Sequence, residues 1–298
     1  MRKSDYSRFV RSRFSDIPAC IEVWKTFLKS RRATAYVFTA EDRRIHLCER
    51  LWKRARLENR GGEDGHLRLA VEGREFFWPE RFPVDDLEWL YAEVFYPRRV
   101  NPSSYEHPRI PLSDAGWVLD AGAGEGFFSI YALENGASGV IAVEPLPQLK
   151  PALEKTLGRY AERERFRVIT AGLGDACGFS FLVEDPHHSC QTRLDEHHAG
   201  SDQKVPVVTI DSLADQLGLG EKGFVKMDIE GAEMAALEGA MRTMARHRPK
   251  FAVAVYHGYE NAQRCKELIL KGNTGYTVEF RGMYGWFHPP RPYMLFAW

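Results

Sequence analysis

Residues 118–128 read VLDAGAGEGFF: an apolar run ending in Asp120, then Gly122, Gly124 and Gly126, then the start of a second apolar run. Glycines at this spacing let the chain turn sharply between a buried strand and a helix and bring backbone close to a ligand. Dinucleotide enzymes share the spacing, so the glycines alone do not choose the ligand. Asp120 does. A carboxylate at the strand end opposes an anionic pyrophosphate and suits a ligand that carries a sulfonium or an ammonium.

The pattern repeats downstream. FFSIYALENG is a helix closed by Gly136, GVIAVEP a second strand, QLKPALEKTLGRYAER a second helix and FRVITAGLG a third strand, which is the βαβαβ rhythm of a doubly wound parallel sheet. GFSFLVED and VPVVTIDSL read as extra strands around a polar loop, PHHSCQTRLDEHHAGSD. GFVKMDIEG, the helix AEMAALEGAMRTMARH, FAVAVYHG and a helix at NAQRCKELIL continue the alternation. YTVEFRGM and YMLFAW then follow each other with no helix between them, so the last strand is expected to run backwards in an otherwise mostly parallel sheet.

Upstream, Ile21, Trp24, Phe27 and Leu28, and then Ile45, Leu47, Leu51 and Trp52, follow helical spacing from Ile17 to about Arg60. GGEDG at 61–65 breaks that pattern, HLRLAVEGREFFWP reads as a hairpin about Glu72-Gly73, and Asp85 or Asp86 caps a helix through LEWLYAEVF. The expected organisation is a mainly helical, basic appendage over 1–65, a lead-in hairpin and helix over 66–112, and a Rossmann-like core over 113–298.

Lys+Arg and Asp+Glu both number 41 in the 298 residues, yet residues 1–60 hold 16 basic against 7 acidic residues. A solvated helical face accounts for that excess more simply than a nucleic-acid surface, because RFVRSRF at 8–14 interleaves Phe and Arg only briefly. No apolar run approaches the roughly 18 residues that span a bilayer, and the first residues lack a signal peptide's apolar segment. Cys20, Cys48, Cys177, Cys190 and Cys265 are odd in number and form no CxxC pair, as expected of reduced cysteines in a cytoplasmic protein.

The second strand ends in Glu144, placed to accept hydrogen bonds from two ribose hydroxyls. Asp175 is a candidate acceptor for an adenine amine or, equally, a turn aspartate. S-adenosylmethionine carries the sulfonium, the ammonium and the nucleoside that Asp120, Glu144 and Asp175 suit, with Gly122, Gly124 and Gly126 supplying the backbone approach. The stretch 225–234, VKMDIEGAEM, adds acids at the next strand's end. On an extended segment Asp228 and Glu230 face the same side, toward the crevice beyond the sheet; Glu233 falls in a first helical turn, where the helix dipole favours an acid. His257, at the end of FAVAVYHG, is a candidate neutral base whose ring Asp228 or Glu230 would orient. Lys226, inside the strand, is expected to lean toward the acids or to snorkel. His187, His188, Cys190, His197 and His198 crowd one loop, but their spacing fits no metal site; a substrate lid is the expectation there, and no metal is required.

VLDAGAGEGFFSIYA, AVEP, TIDSL and above all VKMDIEGAEMAALEGA resemble the FkbM-type methyltransferases. The resemblance runs from about Phe82 to the last strand and leaves the first 65 or so residues uncovered. It departs from the family's usual loop at Gly124, where Asn is usual, and at Glu125, where an apolar residue is usual. It implies a class I methyltransferase fold, S-adenosylmethionine as cofactor and a small-molecule hydroxyl as acceptor, as on a sugar or natural product; Asp228, by its place at the strand end, is a candidate for both cofactor binding and catalysis. Methylation of an amine, a protein or RNA is the alternative within enzymes, and a non-catalytic partner-binding protein the alternative outside them; neither a nucleic acid nor a membrane is an expected partner.

Overall fold

The computed structural model describes residues 35–50, 52, 55–183, 193–195, 203–286 and 289–298, together with Ile21 and Lys25. The expectations for most of residues 17–34 and for the histidines and cysteine at 187–198 lie outside these residues.

Seven strands form the main sheet: β4 (Trp117–Ala121), β5 (Val140–Val143), β6 (Phe166–Ile169), β11 (Gly223–Met227), β12 (Lys250–Ala254), β13 (Val278–Tyr284) and β14 (Arg291–Ala297). Their order is β13-β14-β12-β11-β4-β5-β6, and β14 runs antiparallel to both neighbours while the others share one direction. This is the expected reversed last strand. Every residue of β4, β5 and β11 is buried, as a parallel sheet covered on both faces requires.

Strand alternation sends side chains to two separate cores. Val118 and Phe224 face one layer with Phe127, Phe128 and Ile130 of α3 (Phe127–Glu134). Leu119, Ala121, Val225 and Met227 face the other, with Leu213 of α5 (Ile210–Leu217), Leu237 of α6 (Glu233–Glu238), Met244 of α7 (Met241–His247) and Ile269 of α8 (Asn261–Gly272). Asp120 and Lys226 fall in the first register and are direct cross-strand partners. Two charges therefore meet inside a layer that is otherwise apolar.

A three-stranded antiparallel sheet, β1 (Leu57–Glu63), β2 (His66–Val71) and β3 (Arg74–Pro79), covers this first face. Phe76 and Trp78 enter its core, and Phe77 N–H donates to Thr156 Oγ1 at 2.9 Å on α4 (Lys150–Leu157). The hairpin turn at Glu72-Gly73 is as expected, both residues having positive φ. The helix expected through about Arg60 stops earlier: α1 spans Ala40–Arg50, and Leu57 onward is strand. Asp64 and Gly65 turn that strand into β2, so position 65 lies inside a hairpin.

Two more readings change. Thr209 ends β10 (Lys204–Val208) and accepts from Ser212 N–H at 2.9 Å, so TIDSL opens a helix rather than prolonging a strand. AEMAALEGAMRTMARH is two helices, α6 and α7, parted at Gly239, where a Cβ would collide with the Gly174 carbonyl oxygen. α2 spans Leu87–Phe95, and a small sheet orders β7 (Gly172–Leu173), β10, β8 (Gly178–Val183) and β9 (Arg193–Asp195). No helix among the described residues is long and apolar enough to cross a membrane.

Candidate active site

The parallel strands β4, β5, β11 and β12 end on one edge of the sheet, and a cavity of about 380 Å³ opens there. Gly122 and Gly124 line it, with φ of 72° and 50°. Gly122 passes so close to β11 that a Cβ would strike the Asp228 carbonyl oxygen, which leaves glycine as the residue that fits both the conformation and the space. Gly126 takes the N-cap of α3 and packs toward Leu153, behind the lining residues.

Glu144 lines the same cavity while 8% exposed. Its Oε2 accepts Gly124 N–H at 2.9 Å and its Oε1 accepts Leu146 N–H at 3.0 Å, so the acid that lines the cavity also shapes the glycine turn. Burial raises its pKa, and the two backbone donors work against that rise.

Asp120 is placed differently from the expectation. It is fully buried, accepts Ser129 Oγ–H at 2.7 Å, meets Lys226 Nζ at 3.0 Å and does not line the cavity. Lys226 also donates to the carbonyls of Ala121 at 3.1 Å and Gly122 at 2.7 Å. Asp120 thus acts on the turn through Lys226, whose ammonium pairs with Asp120 and these two carbonyls rather than with Asp228 or Glu230. Asp175 is exposed and outside the lining; Ala171, Gly172 and Leu173 stand there instead.

At the end of β11, Asp228 lines the cavity and accepts Tyr105 Oη–H at 2.8 Å on Oδ2. Glu230 also lines it, though not through an extended segment: its φ of 54° places it in a left-handed turn with Gly231. Burial and the nearby carboxylates of Asp228 and Glu233 push the Glu230 carboxyl up to about 7, against the opposing pull of His257. Glu233 is fully buried and holds that turn by accepting the N–H groups of Ile229 at 3.1 Å and Gly231 at 3.4 Å.

His257 lies behind the two acids of the cavity rather than among its lining residues. Its Nδ1 is 3.0 Å from Glu233 Oε1, and its Nε2 is 3.4 Å from Asp228 Oδ1 and 3.5 Å from Glu230 Oε2. Burial opposes the charge, but three carboxylates outweigh it and raise the ring to about 9. His257 is therefore an imidazolium at neutral pH, which corrects the expectation of a neutral base; its principal partner is Glu233 rather than Asp228 or Glu230.

The opposite wall holds Trp89 and Glu93 of α2, Tyr105, Tyr256, Tyr284 and Tyr293. Tyr293 Oη donates to Glu49 Oε1 of α1 at 3.0 Å and approaches Glu93 Oε1 at 3.4 Å. Glu49 is in turn 3.1 Å from His46 Nδ1, both side chains being fully buried. Burial, then the charges of Asp228 and Glu49, lift the Glu93 carboxyl to about 8. Sequence reasoning missed Glu93, Tyr105, Tyr284 and Tyr293 because none belongs to a motif or stands at the end of a strand paired in parallel. Glu125 was readable only as a departure from pattern; it lines the cavity and burial lifts it to about 7.

The model of the FkbM methyltransferase domain matches residues 120–287. AMB antimetabolite synthetase AmbE of Pseudomonas aeruginosa is 30% identical over 122 residues, 41% of this chain and 5% of that protein. Methyltransferase FkbM from Methylobacillus flagellatus KT is matched at 23% identity over 74% of this chain and 56% of that one, with a TM-score of 0.45. TYW2 of M. jannaschii, in complex with AdoMet, is matched at 12% identity over 79% and 85% of the two chains, with a TM-score of 0.40. The chain spans a small part of the curated relative and little over half of the first of these structures. With more than half of its length matched by the family model, the chain belongs to the FkbM methyltransferase family.

Proposed function

We propose that this methyltransferase takes its methyl group from S-adenosylmethionine and passes it to a hydroxyl of a small molecule. The observation that carries the cofactor reading is the pairing of Glu144 and Asp228 on either side of the bare backbone at Gly122–Gly124. Two carboxylates and a turn without side chains suit a cationic nucleoside and repel a pyrophosphate. Lys226 cannot serve an anion there, since its ammonium is held by Asp120 and two carbonyls.

Bound in this cradle, the cofactor supplies an electrophilic methyl carbon. The chain must hold an acceptor oxygen in line with it and take up the hydroxyl proton. Asp228 is already engaged, accepting Tyr105 Oη–H and facing His257 Nε2. Glu230, on the cavity with a carboxyl near 7, is the proton acceptor in this proposal. His257 holds the two acids in register, and Glu233 holds His257. Asp228, Glu233 and His257 have donor atoms within 4.8 Å of one another, but both ring nitrogens already face carboxylate oxygens across ion-pair distances, so no metal is invoked.

A cavity of about 380 Å³, shared with the cofactor, favours a small acceptor. Titration with S-adenosylhomocysteine tests the cofactor reading. Wild type is expected to bind in the micromolar range and Glu144→Ala at least tenfold more weakly; equal affinity in both would remove it. Turnover that survives exhaustive treatment with EDTA is expected, and its loss with recovery on adding Mg²⁺ or Zn²⁺ would return a metal to the site.

A further inference from the structure

The acceptor half of the cavity is short of positive charge. Glu93, Asp228 and Glu230 all line it, with Asp86 at the same wall. Lys226 is the one Lys or Arg among the described lining residues, and its ammonium is consumed by Asp120, Ala121 and Gly122. The imidazolium of His257 lies behind Asp228 and Glu230, with its side chain 11% exposed. No Lys, Arg or His pairs with Glu93 among the described residues; its neighbours are Asp228, Glu49, the Trp89 side chain, which donates to it, and the Tyr293 hydroxyl.

The walls between these acids are aromatic. Tyr256 stacks on Tyr284 at 4.8 Å between centroids, Tyr293 stands 5.0 Å from Tyr256 and 4.9 Å from Tyr284, and Trp89 lines the same chamber. Aromatic faces and carboxyl groups in excess of the lining cations favour the same guest, because a ring quadrupole attracts a cation as a carboxylate does. An anionic acceptor meets the carboxyl groups of Glu93, Asp228 and Glu230, and a neutral one leaves the Glu93 carboxyl without a cation beside it.

We propose that the methyl acceptor is an amine-bearing hydroxy compound, of the amino-sugar or amino-alcohol type, whose ammonium sits between Glu93 and Asp228 against the Tyr256, Tyr284 and Tyr293 rings. This rests on the reading of the cavity as a cofactor-and-acceptor site. The ammonium anchors the compound and leaves its hydroxyl for Glu230; the transferred methyl forms a C–O bond as the C–S bond breaks, and the hydroxyl proton goes to the Glu230 carboxylate.

Two matched triplets test the idea: glucosamine, glucose and glucuronate, and tyramine, 4-(2-hydroxyethyl)phenol and 4-hydroxyphenylacetate. Each is assayed for kcat/KM with S-adenosylmethionine and for binding to protein loaded with S-adenosylhomocysteine. The cationic member is expected to exceed the neutral one at least tenfold in one triplet or both, with the anion lowest. Glu93→Gln is expected to shrink that preference to threefold or less while S-adenosylhomocysteine still binds as in wild type. Tyr284→Leu, at the cavity wall, is expected to reduce the preference by threefold or more and serves if Glu93→Gln does not fold.

Several results overturn the proposal alone: a neutral or anionic member that equals the cation, failure of every member while S-adenosylhomocysteine binds, or a preference unchanged in the folded variants. Stoichiometric Mg²⁺, Mn²⁺ or Zn²⁺ held by these acids without any cation preference among the triplets does so too. Failure to bind S-adenosylhomocysteine overturns the cofactor reading first.

Discussion

His257 Nδ1 stands 3.0 Å from Glu233 Oε1, inside a site where the glutamate has no exposed surface. The ring titrates from an ordinary 6.5 up to about 9, while the Glu233 carboxyl is held below its ordinary value by the ring. The folded state therefore keeps the imidazole proton more tightly than the unfolded chain does. That stabilisation is complete below about pH 6.5 and is lost as pH rises through about 9. His257→Gln is expected to cost on the order of 2–3 kcal/mol at pH 6 and well under half of that at pH 10. Urea unfolding at the two pH values measures this, and an equal cost at both would refute the ion pair.

Glu93 has the opposite chemistry and the same slope. As an acid raised to about 8, it keeps its proton in the folded state after the unfolded chain has lost it, so ionising it between about pH 4.5 and 8 costs stability. The apoprotein's Tm is expected to fall from pH 5.5 to 8.5, and Glu93→Gln, which cannot ionise, is expected to flatten that fall. Parallel Tm curves for the two proteins would show that Glu93 is not a strained acid.

Removing one member of the buried Lys226–Asp120 pair strands the other. Lys226→Met is expected to destabilise by about 3–5 kcal/mol and to abolish binding of S-adenosylhomocysteine, since the carbonyl of Gly122 loses its donor. Adding Asp120→Asn to Lys226→Met is expected to recover part of the stability without the binding. Recovery of both would mean that Lys226 does not shape the turn.

For Glu230 the expected signature is kinetic. Glu230→Gln should lower kcat by 10² to 10⁴ and leave the affinity for S-adenosylhomocysteine within threefold of wild type. In wild type, a base must be unprotonated to act, so kcat should rise with pH through about 7. A rate that is flat from pH 6 to 8 would move the proton elsewhere.

The fold was readable because strand-and-helix alternation, glycine turns and the helix-free pair before Trp298 are local signals. TIDSL misled because Val-Thr-Ile carries strand propensity while the Thr209 cap is a single residue's geometry. The split at Gly239 depends on a distant carbonyl, that of Gly174. The site was half readable. Glu144, Asp228 and Glu230 stand next to strand ends and announce themselves by position, whereas Asp120 looked like a ligand contact because nothing local reveals Lys226 across the ladder. His257 was found by its place but given the wrong charge, since charge depends on how many acids the fold gathers around it. Glu93 and Tyr293 come from segments 200 positions apart, and no spacing rule joins those.

That last separation bears on how the molecule is assembled. The glycine turn is secured by a bond spanning 20 positions, from Gly124 to Glu144, whereas the tyrosine wall of the cavity is secured by Tyr293 reaching Glu49 across 244. Contacts between segments so far apart form slowly, because the intervening chain must be ordered before they bring any gain. The glycine-turn side of the cavity can thus mature early in folding while the tyrosine chamber closes late, so that, on the proposed reading, slow-folding variants would first lose the choice of what is methylated.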